Sequence, residues 1–319
     1  MPKVSIIILT KNEEKFIEET LNSIYTQEID CDFEVIVIDY GSQDKTLEIV
    51  QRYPVKLIQI PSKAFGHGKT RNLGISNAQG DYIVFLNGDA TPQNKKWLIF
   101  LINSLSVNST AGVYSRIYPR PNCNPLDERD ILNDSYLFDG REKYIKSFSE
   151  YYKMTPERKR KFIAFHTVSC AIKRDLLLKN MFADIEFGED LEWSKRMLEK
   201  GFKIIYESNS EVIHSHNIHF SFINTIRRYF DDARLNQRLL KRWAFLDLLK
   251  LLIIIVVESR KDTAYILRLR INPMSKLNWI IRSPLMRTAE FLGIFLGTLL
   301  NISPKFVNRL SLIEEIKRN

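Results

Sequence analysis

The feature that most constrains the fold is an alternation, over residues 3–86, of short apolar runs with segments of helical periodicity. The apolar runs, which are rich in β-branched residues, are residues 3–9, 33–38, 55–60 and 82–86. Segments with helical spacing or helix-start signals separate them, around residues 16–24, 46–50 and 70–78. Because right-handed crossover connections leave few other topologies, strands alternating with helices predict an α/β fold with a mostly parallel central sheet.

Carboxylates follow two of these runs. Asp39 ends the second run, Asp89 comes just after the fourth, and an acidic pair, Glu189 and Asp190, lies much further along the chain. In an open parallel sheet, ligands bind in the crevice outside the carboxyl ends of the strands. Three acidic elements at that edge indicate a cationic or hydroxylated ligand.

Length and composition limit the class of protein. A chain of 319 residues can form one large domain, or one domain with an appendage. Its 45% hydrophobic and 27% charged residues exclude a disordered chain. Cys31, Cys123 and Cys170 fit neither a disulfide framework nor a zinc site, which favours a reducing cytoplasm. The apolar stretch near the amino terminus is too short for a signal peptide, so we expect a cytoplasmic protein.

Charge divides the chain into two parts. Residues 1–226 carry 29 Lys and Arg against 30 Asp and Glu, whereas residues 227–319 carry 18 against 8. We therefore predict a first domain over residues 1–226 and a helical, basic extension over 227–319. The apolar runs of the extension, 245–257 and 291–300, are shorter than the roughly 20 residues that a bilayer span needs. Basic, apolar helices suit the anionic inner face of the cytoplasmic membrane, and packing on the first domain or on another subunit is the alternative.

No standard phosphate-binding loop follows the first strand. The chain has neither the Gly-x-Gly-x-x-Gly turn of dinucleotide-binding folds nor a Walker loop. Gly66 and Gly68 do precede a helix, and the cations Lys69 and Arg71 follow them. Backbone amides at a helix start, together with these cations, would suit a pyrophosphate or sugar hydroxyls. An ordinary glycine-rich turn is the alternative.

Several short motifs occur in order along the chain, and together they carry a family resemblance. They are residues 4–12, 35–46, 65–68, 70–72, 89–92, 119–121, 124–125 and 187–190. The first two and Thr70-Arg71-Asn72 resemble the motifs of family 2 inverting glycosyltransferases, and the others look more narrowly like the bacterial rhamnosyltransferase-type branch. The resemblance implies a Rossmann-like GT-A fold and a nucleotide-sugar donor linked to UDP, dTDP or GDP. It also implies a hydroxyl acceptor on a glycan or lipid-linked saccharide, in bacterial cell-surface polysaccharide synthesis.

The same resemblance implies where the donor binds. Asp39 would accept hydrogen bonds from the donor's base, since the edges of nucleobases carry N–H donors. Thr10, Asn12 and Glu13 would lie beside it, and further along the chain Gly68 and Arg71 would contact the donor. Taken alone, the carboxylate that ends the second strand could equally cap the turn before the next helix.

Asn87, Gly88 and Asp89 stand where members of this family often have Asp-x-Asp, and they would lie at the donor's diphosphate. The resemblance implies Mg²⁺ or Mn²⁺ held by Asp89, His214 and His216, since a cation would stabilise the departing diphosphate. Asn87 departs from the family pattern, because an amide carbonyl binds an oxygen-loving metal less tightly than a carboxylate does. Without the resemblance, two nearby histidines are more often exposed to solvent than bound to metal.

Glu189 and Asp190 match the acidic pair that supplies the general base in this family. Asp190 is the predicted base, because inversion needs a carboxylate to remove the proton of the attacking hydroxyl. Glu189 would bind acceptor hydroxyls or orient the loop, and Trp193 would give a sugar ring a flat apolar face. Asp190, Trp193 and Met197 recur at helical spacing, so the pair would open a helix whose N-terminus favours an anion. From the residues alone, the pair could simply be favourable first-turn acids.

Two other classes of protein compete with the transferase. A sugar-nucleotide pyrophosphorylase would carry a glycine- and arginine-rich phosphate loop after its first strand, and this chain has none there. A non-catalytic, membrane-attached binder of nucleotide-sugars or glycans stays open, because Asn87 replaces the first acid of the family motif. The basic run at residues 158–161 is typical of a solvated surface, so no nucleic-acid partner is predicted.

Overall fold

The computed structural model describes residues 3–133, 141–185, 187–215, 221–240, 248–299 and 304–318. Within these residues, nine strands form one sheet. They are β1 (Val4–Thr10), β2 (Phe33–Asp39), β3 (Lys56–Gln59), β4 (Tyr82–Asn87), β5 (Thr91–Pro92), β6 (Thr110–Tyr118), β7 (Glu142–Lys143), β8 (Ser169–Lys173) and β9 (Lys203–Ile213). The strand order is β3-β2-β1-β4-β8-β6-β9-β5, and β7 pairs with β9.

The α-helices of the same residues follow the predicted alternation in the first part of the chain. They are α1 (Ile17–Tyr25), α2 (Thr46–Val50), α3 (His67–Asn77), α4 (Trp97–Leu105), α5 (Pro125–Leu132), α6 (Phe148–Lys153), α7 (Pro156–Phe162), α8 (Arg174–Lys179), α9 (Glu189–Glu199), α10 (Phe222–Leu240), α11 (Leu248–Arg268), α12 (Pro273–Thr298), α13 (Pro304–Leu310) and α14 (Leu312–Arg318).

The first four strands along the sheet are all parallel, as the sequence predicts. β1 pairs with both β2 and β4, and β2 pairs with β3. Every residue of β1 is buried, which explains why its sequence is a continuous apolar run rather than an alternating one. The mixed α/β fold with a mostly parallel sheet is therefore confirmed.

The strand direction reverses at β8, which lies between β4 and β6 and is antiparallel to both. Leu86, near the end of β4, pairs with Ser169 at the start of β8. The chain segment that enters β8 therefore meets the carboxyl end of β4. This edge of the sheet is where the sequence places the ligand.

The residues divide into two compact units. One comprises residues 1–118 and 135–214, and the other comprises residues 119–134 and 215–319. The boundary between the units lies after residue 214, whereas the sequence predicts one after residue 226, a position inside α10. The segment with α5 belongs to the second unit. The predicted division of roles between a catalytic part and an extension stays a prediction.

The second unit is helical, as the sequence predicts for its carboxyl-terminal part. α10 and α12 approach each other closely along two glycines of α12. A methyl group at Gly293 would lie 2.4 Å from the carbonyl oxygen of Ile226, and one at Gly297 would lie 2.5 Å from that of Phe230. Among the helices that the structure describes, none has the length and apolarity to cross a membrane. Residues 241–247, which include part of the first apolar run, lie outside the described residues.

Candidate functional site

The loops that follow β1 and β2 are tied together at the carboxyl edge of the sheet. Asn12 has a left-handed backbone (φ 56°), which asparagine tolerates better than most residues. Its side-chain oxygen accepts from the Gln43 backbone N–H at 2.8 Å, and its own N–H donates to the Ser42 hydroxyl at 2.9 Å. The next backbone N–H, of Glu13, donates to the Thr46 hydroxyl at 2.7 Å. The structure thus brings the predicted donor-binding turn against the loop after β2.

Asp39 organises that second loop. One carboxylate oxygen accepts from the backbone N–H of Gly41 at 2.9 Å and of Ser42 at 3.0 Å, and the Ser42 hydroxyl donates to the other oxygen. The capping role that the sequence left open is therefore present. A carboxylate offers about four lone-pair sites, so one acceptor site is left for a nucleobase N–H. Binding of the donor's base by Asp39 stays a prediction.

Tyr40 shows that the acidic groups of this edge converge. Its ring stacks on Phe65 with the centroids 4.0 Å apart. Burial raises the pKa of the Tyr40 phenol, and the negative charges of Glu13 and Asp89 raise it further. Acids from the loops after β1 and β4 therefore act on the same phenol.

The turn after β4 places Asp89 beside His214. The backbone N–H of Ala90 donates to the carbonyl of Asn87 at 3.0 Å and closes the turn. β5 then pairs with β9 through Thr91 and Ile213, so the residues flanking that pair are neighbours. As a result, Nδ1 of His214 lies 3.2 Å from Oδ2 of Asp89.

Thr10 and Gly88 lie against each other under this turn. A methyl group at Gly88 would come within 2.8 Å of the Thr10 hydroxyl oxygen. That hydroxyl is buried, and within the described residues it has no hydrogen-bond partner. Gly88 is therefore the residue that allows the ends of β1 and β4 to approach.

Two of the three predicted metal ligands come together, and His216 lies outside the described residues. Within the part of the chain that the structure describes, no three His, Cys, Asp or Glu side chains form a metal site by themselves. Adjacent ligands of an octahedral ion at about 2.1 Å lie about 3 Å apart, which the 3.2 Å between Asp89 and His214 matches. The pair therefore fits one ion whose other ligands are diphosphate oxygens, and oxygen ligands suit Mg²⁺ and Mn²⁺.

Asp190 lies in the first turn of α9, as predicted. Gly188, in a left-handed conformation (φ 74°), precedes the helix. Oδ1 of Asp190 accepts from the backbone N–H of Leu191 at 2.8 Å, and Oδ2 accepts from that of Thr167 at 3.3 Å. Burial, and then the charge of Glu189, raise the pKa of Asp190 to about 6. A carboxylate with such a pKa is close to the ideal strength for a base at neutral pH.

Glu189 and Arg71 form an ion pair in which both side chains are buried. The sequence assigns Arg71 to the donor and Glu189 either to acceptor hydroxyls or to orienting the loop. The structure favours the orienting role, because the guanidinium neutralises a carboxylate that would otherwise be buried as a bare charge. Arg71 also lowers the pKa of Asp190, opposing the effect of burial. A buried acid needs a counterion, but the sequence does not show that this partner lies on α3.

Gly68 and His67, at the start of α3, also face the acidic pair rather than an open phosphate loop. A methyl group at Gly68 would lie 2.4 Å from the carbonyl oxygen of Ala183, so this glycine permits close packing. Burial and the charge of Arg71 lower the pKa of His67 to about 3, which keeps its ring neutral, and Asp190 acts in the opposite direction. The sequence analysis missed His67 as a neighbour of the base.

Trp193 is a correction to the sequence analysis. Its ring is fully buried, Nε1 donates to the carbonyl of Asn180 at 2.8 Å, and the ring packs against Phe165 and Phe182. A fully buried ring cannot offer a flat face to a sugar. Trp193 instead anchors α9, because it points inward from the helix that carries Asp190.

The segment before β8 is the part of the site that the sequence analysis missed. His166 Nε2 lies 3.1 Å from the carbonyl of Ser115, the Thr167 N–H donates to Asp190, and the Val168 carbonyl accepts from the Asn87 N–H at 3.0 Å. Thr167 and Val168 therefore connect the Asn87–Ala90 turn with the predicted base, and His166 ties the segment to β6. The family resemblance places residues 165–172 on the strand beneath the acceptor site, with Cys170 in the core, but it does not indicate these contacts.

The chain resembles known proteins in both sequence and structure. The family model for glycosyl transferase family 2 matches residues 5–180. The chain is 28% identical over 235 residues to the O-antigen chain rhamnosyltransferase WbaN of Salmonella anatum, which covers 72% of this chain and 71% of that protein.

Two solved structures share the fold. One is the mannosyltransferase PcManGT of Pyrobaculum calidifontis in complex with GDP-Man and Mn²⁺, with a TM-score of 0.53, 19% identity and coverage of 93% of this chain and 73% of that one. The other is TarS 1–349 of S. aureus, with a TM-score of 0.51, 19% identity and coverage of 95% and 76%. These similarities show that the fold is the GT-A fold of glycosyltransferases.

Proposed function

Because the chain belongs to glycosyl transferase family 2 and is therefore an enzyme that inverts the configuration at the anomeric carbon, we propose that it moves rhamnose from a nucleotide-sugar to a hydroxyl of a glycan or lipid-linked saccharide. The likeness to an O-antigen chain rhamnosyltransferase supports this sugar and this class of acceptor. The observation that carries the proposal is the position of Asp190: its carboxylate accepts from the Thr167 N–H, and the adjacent Val168 carbonyl accepts from Asn87 at the carboxyl end of β4. The raised pKa of Asp190 agrees with the role of a base.

The chemistry requires one proton transfer and one displacement. The acceptor hydroxyl oxygen forms a bond to the anomeric carbon from the side opposite the leaving diphosphate, and Asp190 takes the hydroxyl proton. The bond from the anomeric carbon to the diphosphate oxygen breaks, and its electron pair leaves with the nucleoside diphosphate. A positioned base of this kind contributes typically 10²–10⁴-fold to the rate.

The donor would occupy the edge formed by the loops after β1, β2 and β4. Asp39 would accept from the base, and the turn at Asn12 and Glu13 would lie beside it. Asp89 and His214 would hold Mg²⁺ or Mn²⁺, which supplies positive charge against the diphosphate when bound. His214 is buried and Asp89 is mostly buried. Burial keeps these two metal-binding side chains in place before the nucleotide-sugar arrives.

The proposal includes a location at the inner face of the cytoplasmic membrane, with anionic lipid as a partner. A lipid-linked acceptor would be presented there. The excess of 18 Lys and Arg over 8 Asp and Glu after residue 226 supports attraction to such a surface.

The substitution Asp190→Asn tests the proposal. We expect transfer from dTDP-rhamnose, or from another sugar of a UDP, dTDP and GDP panel, to slow by at least about 10²-fold, with donor affinity unchanged. Asp175→Asn is the matched control, because Asp175 also lies in the first turn of a helix, α8, but is exposed. Full transfer by Asp190→Asn would overturn the assignment of the base. Donor binding without transfer by the wild type, over free and lipid-linked acceptors, would favour the non-catalytic binder that Asn87 suggests.

A further inference from the structure

Helix α12 turns apolar side chains toward solvent. Met274, Leu277, Ile281 and Leu285 recur at intervals of three or four residues, and each is 52–72% exposed. Residues at this spacing lie on one side of a helix. The stripe is therefore continuous over about three turns of the first half of the helix.

Helix α11, which precedes α12, adds to the same kind of surface. Its apolar residues that are 40–62% exposed are Ile253, Ile254, Val256, Val257 and Leu267. Single apolar side chains are common on protein surfaces, but soluble monomers seldom expose as many as nine on two consecutive helices.

Some polar side chains of these two helices are buried and form an ion cluster. Asp262 is fully buried, accepts from the Ser283 hydroxyl at 2.6 Å and forms a salt bridge with Arg287 at 2.9 Å. Arg129 of α5 adds a second salt bridge to Asp262 at 3.0 Å. The helix pair thus buries part of its charge, while several of its apolar side chains are exposed.

The outward charge of the two helices is positive. Residues 248–299 contain eight Lys and Arg and three acids. All three acids are in salt bridges: Glu258 with Arg129 and Lys261, Asp262 with Arg129 and Arg287, and Glu290 with Arg287. The exposed cations on these helices and the turn between them are Arg260, Lys261, Arg268, Arg270 and Arg282.

We propose that the outer apolar face, defined as the nine exposed apolar residues of α11 and α12 named above, docks on an anionic phospholipid bilayer and lies in its interface. Apolar side chains would enter the boundary between headgroups and acyl chains, and the arginines beside them would meet the phosphates. A second copy of the chain is a poorer occupant, because two faces with the same positive rim repel each other. This inference rests on the membrane location in the proposed function and names the surface that would make the contact, and bare vesicles test it without any substrate.

The experiment measures flotation of the full chain with vesicles of phosphatidylcholine, with and without about 30 mol% phosphatidylglycerol as the anionic lipid. We expect binding to the anionic vesicles, and weaker binding when about 0.5 M salt screens the cations. Leu277→Glu and Leu285→Glu should each lower the partition coefficient by at least about tenfold, since each puts a charge where an apolar group would be buried. Leu178→Glu on α8 is the matched control, because Leu178 is 43% exposed and Leu277 is 52% exposed.

Each result decides the question. Loss of binding in the two α12 variants, with thermal melting and the control unchanged, supports the proposal. A wild type that does not float with either kind of vesicle overturns it, and so does equal binding by wild type and variants. A wild type that is dimeric and becomes monomeric in Leu277→Glu, without binding vesicles, assigns the face to a second copy. None of these readouts depends on transfer activity, so a failure here removes the membrane location and leaves the proposed transfer reaction untested by it, whereas loss of transfer alone leaves the docking surface standing.

Discussion

Three influences act on the pKa of Asp190, and they do not all act in the same direction. Burial raises the pKa most, the charge of Glu189 raises it further, and Arg71 lowers it. Arg71 serves both acids at once, because it pairs with Glu189 and acts on Asp190 through space. The pKa of the proposed base is therefore set in part by Arg71, for which no contact with the acceptor is proposed.

Activity should depend on pH through Asp190. The carboxyl works as a base only when ionised, so with a pKa of about 6, kcat/KM should fall about tenfold per unit below pH 6 and level off above it. The pH–rate profile of the wild type measures this. An acid limb near pH 4, the ordinary range of a carboxyl, would contradict it.

Substitution of Arg71 gives the matching control. Arg71→Met removes the influence that lowers the pKa of Asp190, so the acid limb should move to higher pH. The single variant also leaves Glu189 buried without its partner, at a cost of about 3–5 kcal/mol of stability. In Arg71→Met/Glu189→Gln both charges are gone and the stability should largely return. In that double variant the opposing effects of Arg71 and Glu189 on the pKa of Asp190 are both lost, so the single variant is the test of Arg71. An unmoved acid limb in the folded single variant would show that Arg71 only holds the fold.

The same pKa shift has a consequence for stability. The folded-state pKa of Asp190 lies above its unfolded value near 3.9, so ionisation disfavours the folded state. The contribution is present at low pH and is lost as pH rises through about 4 to 6. Asp190→Asn should therefore be at least as stable as the wild type at neutral pH.

At the scale of elements, α10 and α12 can pack closely because two residues of α12, Gly293 and Gly297, have no side chain. The backbone of α10 occupies the space that a Cβ would need at Gly293 and Gly297. Such positions cannot be relieved by a side-chain rotation, because the atoms in the way are carbonyl oxygens of the neighbouring helix.

Gly293→Ala should destabilise the second unit by about 1–3 kcal/mol, although alanine favours a helix over glycine by about 1 kcal/mol. The reason is the 2.4 Å approach to the carbonyl oxygen of Ile226. Urea unfolding measures the change. Asn278→Ala, at an exposed position of the same helix, should be neutral or slightly stabilising. Equal stability of Gly293→Ala and the wild type would show that the two helices can separate without loss.

For the molecule as a whole, the sequence predicts what depends on neighbours along the chain. The bounds of β1, β2 and β4 follow from runs of apolar residues, and the place of Asp190 in the first turn of α9 follows from helical spacing. The antiparallel insertion of β8 beside β4 does not, because it depends on how the chain returns to the sheet rather than on any local pattern.

The parts of the site that escaped prediction are all contacts between distant residues. Arg71 and Glu189 are 118 positions apart, and neither shows in its own surroundings that the other is its partner. Trp193 was misjudged for the related reason that helical spacing gives a face but not what covers it. The ion cluster around Asp262 was equally hidden, because its partners Arg129 and Arg287 lie far from it in the sequence.

Binding of the donor should stabilise the whole chain in a metal-dependent way. A nucleotide-sugar at about 100 times its Kd should add about 2.7 kcal/mol to the free energy of unfolding. Thermal melting with a donor panel, with Mn²⁺ or Mg²⁺ and with EDTA, measures it. Asp89→Ala should abolish the metal-dependent part, because it removes the carboxylate 3.2 Å from His214. A donor-induced shift that is identical with EDTA would remove the metal from the proposal and keep the transferase.

The three residues from His166 to Val168 limit how this enzyme can be redesigned. Two of their links to the site use backbone groups: the Val168 carbonyl accepts from Asn87, and the Thr167 N–H donates to Asp190. A replacement of similar size at either residue leaves both links available, whereas one added or deleted residue would move one link out of register with the other. An engineer who wishes to alter acceptor choice therefore has freedom in the composition of this junction and almost none in its length.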